Sequence, residues 1–198
     1  MADGLVAGID EAGRGPVVGP LVVAVVASSR QEALRALGVR DSKLLTPRRR
    51  EALYGGILAA ADCVQYIVIE PATIDEYVAG HRLNALEAEA MAKLISLCDA
   101  DVYYVDSPDP KPERFGRALA EATGRRVIAM NRGEAVPVVA AASIVAKVVR
   151  DRLIAALRDA YGDFGSGYPS DPKTRAALKS GLLPPECVRR SWSTLSSL

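Results

Sequence analysis

The sequence is short of the residues on which several kinds of site depend. Its 198 residues include one histidine, one tryptophan and three cysteines. The cysteines, Cys63, Cys98 and Cys187, form no CxxC pair and no zinc spacing, so we expect free or buried thiols in a reducing compartment. The single histidine, His81, is interpreted as a surface residue without a required role.

Long apolar runs and a dominant charge are also missing. The run PLVVAVVA at 20–27 has eight residues and is too short to span a bilayer. The first ten residues lack the basic segment and apolar stretch of a signal peptide, so we expect a cytoplasmic protein with no membrane partner. The net charge of +1 gives no global basic field, and binding to nucleic acid would need a local patch.

What is present indicates one globular domain over 1–198. Hydrophobic residues make up 49% of the chain, enough for a sizeable core. Five apolar, β-branched segments alternate with helical patterns, except that only a glycine-rich turn separates the first two, which predicts a hairpin. The expected architecture is α/β, a mixed five-stranded sheet flanked by helices, with a small helical part at about 171–198. The predicted strands are 5–10, 21–27, 63–70, 101–106 and 125–130, and the predicted helices are 30–38, 46–62, 83–98, 112–124, 140–162 and a short one from 171.

Acidic residues end two of the predicted strands. Asp10 ends the first strand and Asp106 ends the fourth. If these strands are neighbours, the two carboxylates converge and can form a binding site for a divalent cation. Glu11 shares that site only if the strand has begun to turn, which Gly13 and Gly15 permit, because consecutive strand residues point to opposite faces. An isolated Asp-Glu pair is otherwise a turn or capping feature.

The segment GRGPVVG at 13–19 is superficially similar to a dinucleotide-binding fingerprint. Its third glycine comes one residue late, Pro16 follows the second glycine, and a strand rather than a helix comes next. NAD binding is therefore excluded.

Taken together, five blocks in chain order resemble the ribonuclease HII family, the type 2 ribonucleases H, in an archaeal-like form. The resemblance implies the ribonuclease H-like fold and a metal-dependent endoribonuclease. Such an enzyme hydrolyses the RNA strand of RNA–DNA hybrids and cleaves 5′ of ribonucleotides embedded in duplex DNA, leaving 5′-phosphate and 3′-hydroxyl ends. Its implied role is removal of ribonucleotides and RNA primers in DNA replication and repair. The blocks are GIDEAGRGPVVGPLVVA (8–24), RDSKLLTPRRRE (40–51), YYVDSPD (103–109), AAASIVAKVVRDR (140–152) and YGDFGSGYPSDPKTR (161–175).

The resemblance also implies the metal ligands. Asp10, Glu11 and Asp106 would hold two Mg²⁺ or Mn²⁺ ions. The family's fourth acid precedes the long helix, and counting back from Ser143 places it on Gly133, with Glu134 one residue nearer. Either the loop is one residue shorter or Glu has replaced Asp, and Glu134 is the candidate fourth catalytic acid.

Substrate contacts follow from the same comparison. The backbone of Gly13, Arg14 and Gly15, together with Tyr168, would read the ribose 2′-hydroxyl. Ser42, Lys43 and Lys147 would contact the substrate, although Lys147 equally fits the solvent-exposed face of an amphipathic helix. Ser42 and Lys43 belong to a basic patch with one acid, Asp41, and five cations: Arg40, Lys43, Arg48, Arg49 and Arg50. Such a patch fits binding to phosphates. Arg48–Arg50 equally fit the solvated start of a helix.

The expected partners are RNA–DNA hybrid and ribonucleotide-containing duplex DNA, bound by a monomer. The tail WSTLSSL shows no sliding-clamp motif, so a clamp partner is not inferable. Two alternatives stay open: another metal-dependent nuclease of the ribonuclease H-like superfamily, and a non-catalytic hybrid-binding module.

Overall fold

The computed structural model describes residues 4–40 and 42–195, so Asp41 of the basic patch lies outside the described residues. Strands and helices occur in the alternating order that the sequence predicts, with a hairpin first. Short 3₁₀ turns connect several of them, at Ser42–Leu44, Gly133–Ala135, Pro185–Cys187 and Ser193–Leu195. The strands are β1 Val6–Ala12, β2 Leu21–Ser28, β3 Cys63–Ile69, β4 Val102–Asp106 and β5 Val127–Met130, and the helices are α1 Gln31–Leu37, α2 Pro47–Ala60, α3 Pro71–Ala79, α4 Leu83–Leu97, α5 Pro112–Thr123, α6 Pro137–Tyr161 and α7 Pro172–Lys179.

The five strands form one mixed sheet in the order β3-β2-β1-β4-β5. β1, β2 and β3 pair antiparallel, whereas β4 and β5 run parallel to β1. The predicted hairpin and mixed sheet are therefore confirmed, and β1 and β4 are neighbours, which is the condition set for Asp10 and Asp106 to converge. β2 lies inside the sheet and is buried throughout, as its unbroken run of apolar residues requires.

Helices cover both faces of the sheet. α1, α2 and α6 pack on one face through residues such as Leu34, Ile57 and Val145, and α3, α4 and α5 pack on the other. α6 lies so close to β1 that a Cβ on Gly8 would come within 2.2 Å of the Val138 backbone, which explains the glycine. Among the described residues, no helix is both long enough and apolar enough to cross a membrane.

Three features differ from the sequence-based expectations. Helix α3 was not predicted, because Pro71 follows a strand directly and resembles a breaker, whereas it occupies the first helical turn. Helix α6 begins at Pro137 rather than at residue 140. Cys63 and Cys98 form a disulfide between the start of β3 and the end of α4, so the expectation of free thiols was wrong for these two and right only for the buried Cys187.

Candidate active site

Three carboxylates, those of Asp10, Glu11 and Asp106, line one cavity where β1 and β4 end. The two strands are parallel with Ile9 opposite Val105, so Asp10 and Asp106 follow side by side at the same edge. Asp10 is only 5% exposed, and its carboxylate accepts a hydrogen bond from the Glu11 amide at 2.7 Å. Convergence of Asp10 and Asp106 therefore follows from strand order and register alone.

Glu11 reaches the same site by a route that the sequence analysis had wrong. β1 does not turn at Glu11 but remains a strand to Ala12, with Glu11 opposite Val23 of β2. Asp10 therefore faces α6, where it bonds to Ser143, and Glu11 faces α4. Both carboxylates still line one cavity, because β4 stops at Asp106 and leaves this end of β1 uncovered on that side.

Burial at one site makes the carboxyl groups of Asp10 and Glu11 costly to ionise. Burial, followed by the charge of Asp106, raises the pKa of Asp10 from 3.8 to about 7. Burial and the neighbouring Asp10 and Glu87 charges raise the pKa of Glu11 well above its usual value. One carboxylate oxygen of Glu11, Oε2, is buried without a hydrogen-bond partner among the described residues. The site is therefore short of positive charge.

Protein cations near the site supply only part of that charge: Arg14 lowers the pKa of Glu11, but less than burial and the neighbouring acids raise it. The basic side chains also have partners of their own. Arg14 pairs with Glu87, and Lys147 pairs with Asp151 on the same helix. Arg150 donates to backbone carbonyls of the turn after β1. An external cation is thus the natural counter-charge for the three acids.

The donor set fits magnesium or manganese. Within residues 4–40 and 42–195, no three acidic, histidine or cysteine side chains are grouped so that they alone could hold a metal ion. Mg²⁺ does not need such a group, since it keeps several waters and binds through one or two carboxylates plus substrate phosphate. Asp10 and Asp106 at one strand edge, with the unsatisfied oxygen of Glu11 beside them, match that requirement.

Glu134 lies at the margin of the site. It belongs to the 3₁₀ turn before α6 and is half-buried, and its charge contributes to the raised pKa of Asp10. It is not among the residues that line the cavity. Its neighbour Gly133 instead donates its backbone N–H to Asp106 Oδ1 at 2.9 Å, which holds that carboxylate in place.

The turn after β1 contacts the later loop that carries Tyr168. Gly13 has φ of +99°, and a Cβ there would lie 2.1 Å from Arg150 Nε, so only glycine fits. A Cβ on Gly15 would lie 3.3 Å from the Tyr168 ring, so the ring stands over the turn. Tyr168 is 45% exposed, and its open face borders the cavity.

The Ser42–Leu44 turn forms another wall. Ser42 Oγ lies 2.9 Å from Ser143 Oγ on α6. Arg50 is buried and donates to the carbonyls of Ser42 and Leu45 at 3.0 and 2.6 Å, and pairs with Asp151 at 2.9 Å. Arg50 is thus an anchor for the turn rather than part of a solvated helix start, whereas Arg48 and Arg49 are exposed.

The cavity itself has a volume of about 310 Å³. It gathers ten of the eleven site residues that the sequence analysis named, and Glu134 is the one left at its edge. Two fully buried charged residues behind the site, Glu87 and Arg189, were missed. Position 87 could have been found, because it lies on the apolar face of α4 beside Leu86 and Met91, where a carboxylate is unexpected. The lining residues are Asp10, Glu11, Ala12, Gly13, Arg14, Gly15, Ser42, Lys43, Asp106, Ser143, Lys147, Arg150 and Tyr168.

Comparison with known proteins agrees with this site and fold. The family model for ribonuclease HII matches residues 7–195. The ribonuclease HII of Pyrobaculum neutrophilum is 68% identical over 188 residues, which covers 95% of this chain and 94% of the relative. The ribonuclease HII of Pyrobaculum arsenaticum is 63% identical over 193 residues, covering 98% of this chain and 97% of the relative.

Solved structures give the same result. The Archaeoglobus fulgidus ribonuclease HII, determined in a complex with PCNA, superimposes with a TM-score of 0.89 at 48% identity, covering 96% of this chain and 95% of that one. The Pyrococcus horikoshii ribonuclease H2 superimposes with a TM-score of 0.88 at 41% sequence identity, covering 98% of this chain and 96% of that one. A Bst ribonuclease HIII in complex with Mn²⁺ shares the fold, with a TM-score of 0.75 at 21% sequence identity. The match covers 99% of this chain and 69% of that one. The chain therefore belongs to the ribonuclease HII family and is an endoribonuclease with the ribonuclease H-like fold.

Proposed function

We propose that this enzyme uses divalent metal ions to hydrolyse the RNA strand of RNA–DNA hybrids and to cleave 5′ of single ribonucleotides in duplex DNA. The products would carry 5′-phosphate and 3′-hydroxyl ends, and the role would be removal of ribonucleotides and primers in replication and repair. The observation that carries the proposal is that Asp10, Glu11 and Asp106 line one cavity at the ends of β1 and β4, where burial and mutual repulsion raise the pKa values of Asp10 and Glu11.

Asp10, Glu11 and Asp106 are the residues that would hold Mg²⁺ or Mn²⁺. Bound ions would supply Lewis acidity, which lowers the pKa of an attacking water and neutralises charge on the leaving 3′ oxygen. The protein keeps the ligands in position: Gly133 N–H fixes Asp106, and Ser143 and the Glu11 N–H fix Asp10. Glu134 adds negative charge at the margin without facing the cavity, a position that suits a weaker role than that of the other three acids.

Recognition of a ribose belongs to the wall of the cavity that the turn after β1 and Tyr168 form. Gly13 and Gly15 bring bare backbone to the surface, and the Tyr168 ring stands over them. Backbone amides and carbonyls can bond to a 2′-hydroxyl, while the ring can pack on the sugar. Since the 2′-hydroxyl is the one feature that distinguishes ribose from deoxyribose at a single nucleotide, we assign discrimination to this wall.

Phosphates next to the cleaved bond would contact the Ser42–Leu44 turn and α6. Ser42, Lys43 and Lys147 line the cavity, and the exposed Arg48 and Arg49 extend the positive surface along the start of α2. This local patch supplies the attraction that the net charge of +1 does not.

The test is a cleavage assay on three matched duplexes: one with a single ribonucleotide, one with an RNA strand, and one of DNA alone. In Mg²⁺ or Mn²⁺ we expect cleavage 5′ of the ribonucleotide and along the RNA strand, and none of the all-DNA duplex. Asp106→Asn should lose about 1000-fold in rate while still folding and melting cooperatively. Cleavage of all-DNA duplex would favour another nuclease of this superfamily, and tight binding without product would favour a hybrid-binding module.

A further inference from the structure

The turn that faces the ribose is held from behind by two buried charged residues. Glu87 on α4 is fully buried, and its carboxylate pairs with Arg14 in the middle of the turn. Its other oxygen, Oε1, has no hydrogen-bond partner among the described residues. Burial raises the pKa of Glu87, so keeping this carboxylate charged costs folding free energy. An apolar residue would suit this face of α4 better for stability alone.

The guanidinium of Arg14 is held by α4 at both of its terminal nitrogens. Nη1 donates to Glu87 and Nη2 donates to Asn84 Oδ1 at 2.7 Å. Residues 84 and 87 lie on the same face of the helix, one turn apart, so together they fix both the position and the plane of the guanidinium. The positive charge of Arg14 is therefore engaged by the protein, although its side chain remains 35% exposed.

Arg189 holds the same turn by its backbone. It is fully buried, and it donates from Nη1 to the carbonyl of Arg14 at 3.2 Å and from Nε to the carbonyl of Gly19 at 2.9 Å. Its guanidinium lies 5.2 Å from the centre of the Trp192 ring. Burial lowers the pKa of Arg189 to about 9, a further cost of placing a charge here. The two contacts tie the Arg14 backbone to the backbone of Gly19, just before β2.

We propose that Glu87 and Arg189 are positioning residues for ribose recognition: they fix the backbone of Gly13–Gly15, and Arg14 acts through this clamp rather than as a free charge on the substrate. The inference rests on the proposed function. It explains why two costly buried charges lie directly behind the substrate-facing turn. It also gives Arg14 a role different from that of the exposed cations of the basic patch.

Charge-neutral variants separate the two roles of Arg14. If Glu87 positions the turn, Glu87→Gln should lower kcat on the single-ribonucleotide duplex about 10- to 100-fold, because small misplacements of recognition groups are expensive. Arg14→Gln should give a similar loss, and the double variant should be no worse than either single one. The slope of log KM against log salt concentration should stay as in the wild type, since no phosphate contact is lost.

A free Arg14 that contacts phosphate predicts the opposite pattern. Glu87→Gln would then release the charge and lower KM, and Arg14→Gln would reduce the salt slope by about 1. Either result overturns the proposal. So does a normal kcat in Glu87→Gln, compared with the matched control Glu89→Gln, an exposed acid on the same helix that bonds to the Tyr77 hydroxyl.

Two further measurements keep the outcome decisive. If Glu87→Gln does not fold, as judged by its melting curve, Arg14→Gln and Arg189→Lys are compared instead, and an unchanged kcat in both overturns the proposal. A wild-type enzyme that cleaves neither the hybrid nor the single-ribonucleotide duplex would refute the proposed function itself. Wild-type cleavage with normal variants would refute only the clamp.

Discussion

Replacing Asp10 with asparagine should stabilise the metal-free protein while abolishing cleavage. Burial and Asp106 raise the pKa of Asp10 from 3.8 to about 7, so the folded state holds this proton over a pH range in which the unfolded chain has released it. The stability contributed by the protonated group is complete below about pH 4 and is lost as pH rises through 7. Asparagine has the same shape, keeps an acceptor for the Glu11 amide, and never ionises.

The size of the effect follows from the same shift. The rise in the pKa of Asp10 from 3.8 to about 7 corresponds to about 4 kcal/mol, an upper bound because Glu11 is buried beside it and shares the cost. We expect Asp10→Asn to recover about half, or about 2 kcal/mol, at pH 8. For a chain of this size that is a rise of about 4 to 8 °C in Tm.

The assay is thermal or urea unfolding of both proteins in EDTA between pH 4 and pH 8. The difference should be near zero at pH 4, grow through pH 5–7 and level off above pH 7. Adding Mg²⁺ at pH 8 should raise the Tm of the wild type more than that of Asp10→Asn, because bound metal stabilises only the state that binds it. A variant that is less stable than the wild type at pH 8, or a difference independent of pH, would refute the electrostatic reasoning.

Three more predictions concern other parts of the molecule. Tyr168→Ala should reduce cleavage of the single-ribonucleotide duplex about tenfold more than cleavage of the full hybrid, with Tyr168→Phe in between; equal losses on both substrates would indicate a merely structural tyrosine. Reducing the Cys63–Cys98 disulfide, whose cysteines are 35 residues apart, should lower the free energy of unfolding by about 4 kcal/mol; equal melting curves with and without reductant would contradict this. Glu134→Gln should lower the rate about tenfold in Mg²⁺ rather than abolish it, and a loss as large as that of Asp106→Asn would make Glu134 a full ligand.

Much of the fold was accessible from the sequence because its signals are local. The five strands are β-branched runs, and the thirteen-residue reach from Asp10 to Val22 leaves no room for a crossover helix, so β1 and β2 had to pair antiparallel. Helix α3 was not predicted because Pro71 fits equally well as the residue that ends a strand and as the first residue of a helix. Only the burial of Ile74 against the sheet decides between the two.

The acids of the site were predictable for the same reason, but their surroundings were not. Asp10 and Asp106 end strands, and strand ends are visible in the pattern. The pairing of Cys63 with Cys98 and the clamp of Glu87 and Arg189 on the turn depend on contacts between segments far apart in the chain, which no local periodicity reveals. The place of Glu87 on the apolar face of α4 is visible in the sequence, but its pairing with Arg14, 73 residues away, is not.

The central claim is that Asp10, Glu11 and Asp106 hold a divalent cation against the sugar–phosphate chain. The most direct measurement is anomalous diffraction from crystals of the wild-type protein, grown with Mn²⁺ and a non-cleavable single-ribonucleotide duplex. The account predicts manganese peaks between Asp10 and Asp106, next to the phosphate 5′ of the ribonucleotide, and the Gly13–Gly15 backbone against its 2′-hydroxyl. Peaks elsewhere, or a duplex bound with no manganese at these carboxylates, would contradict it.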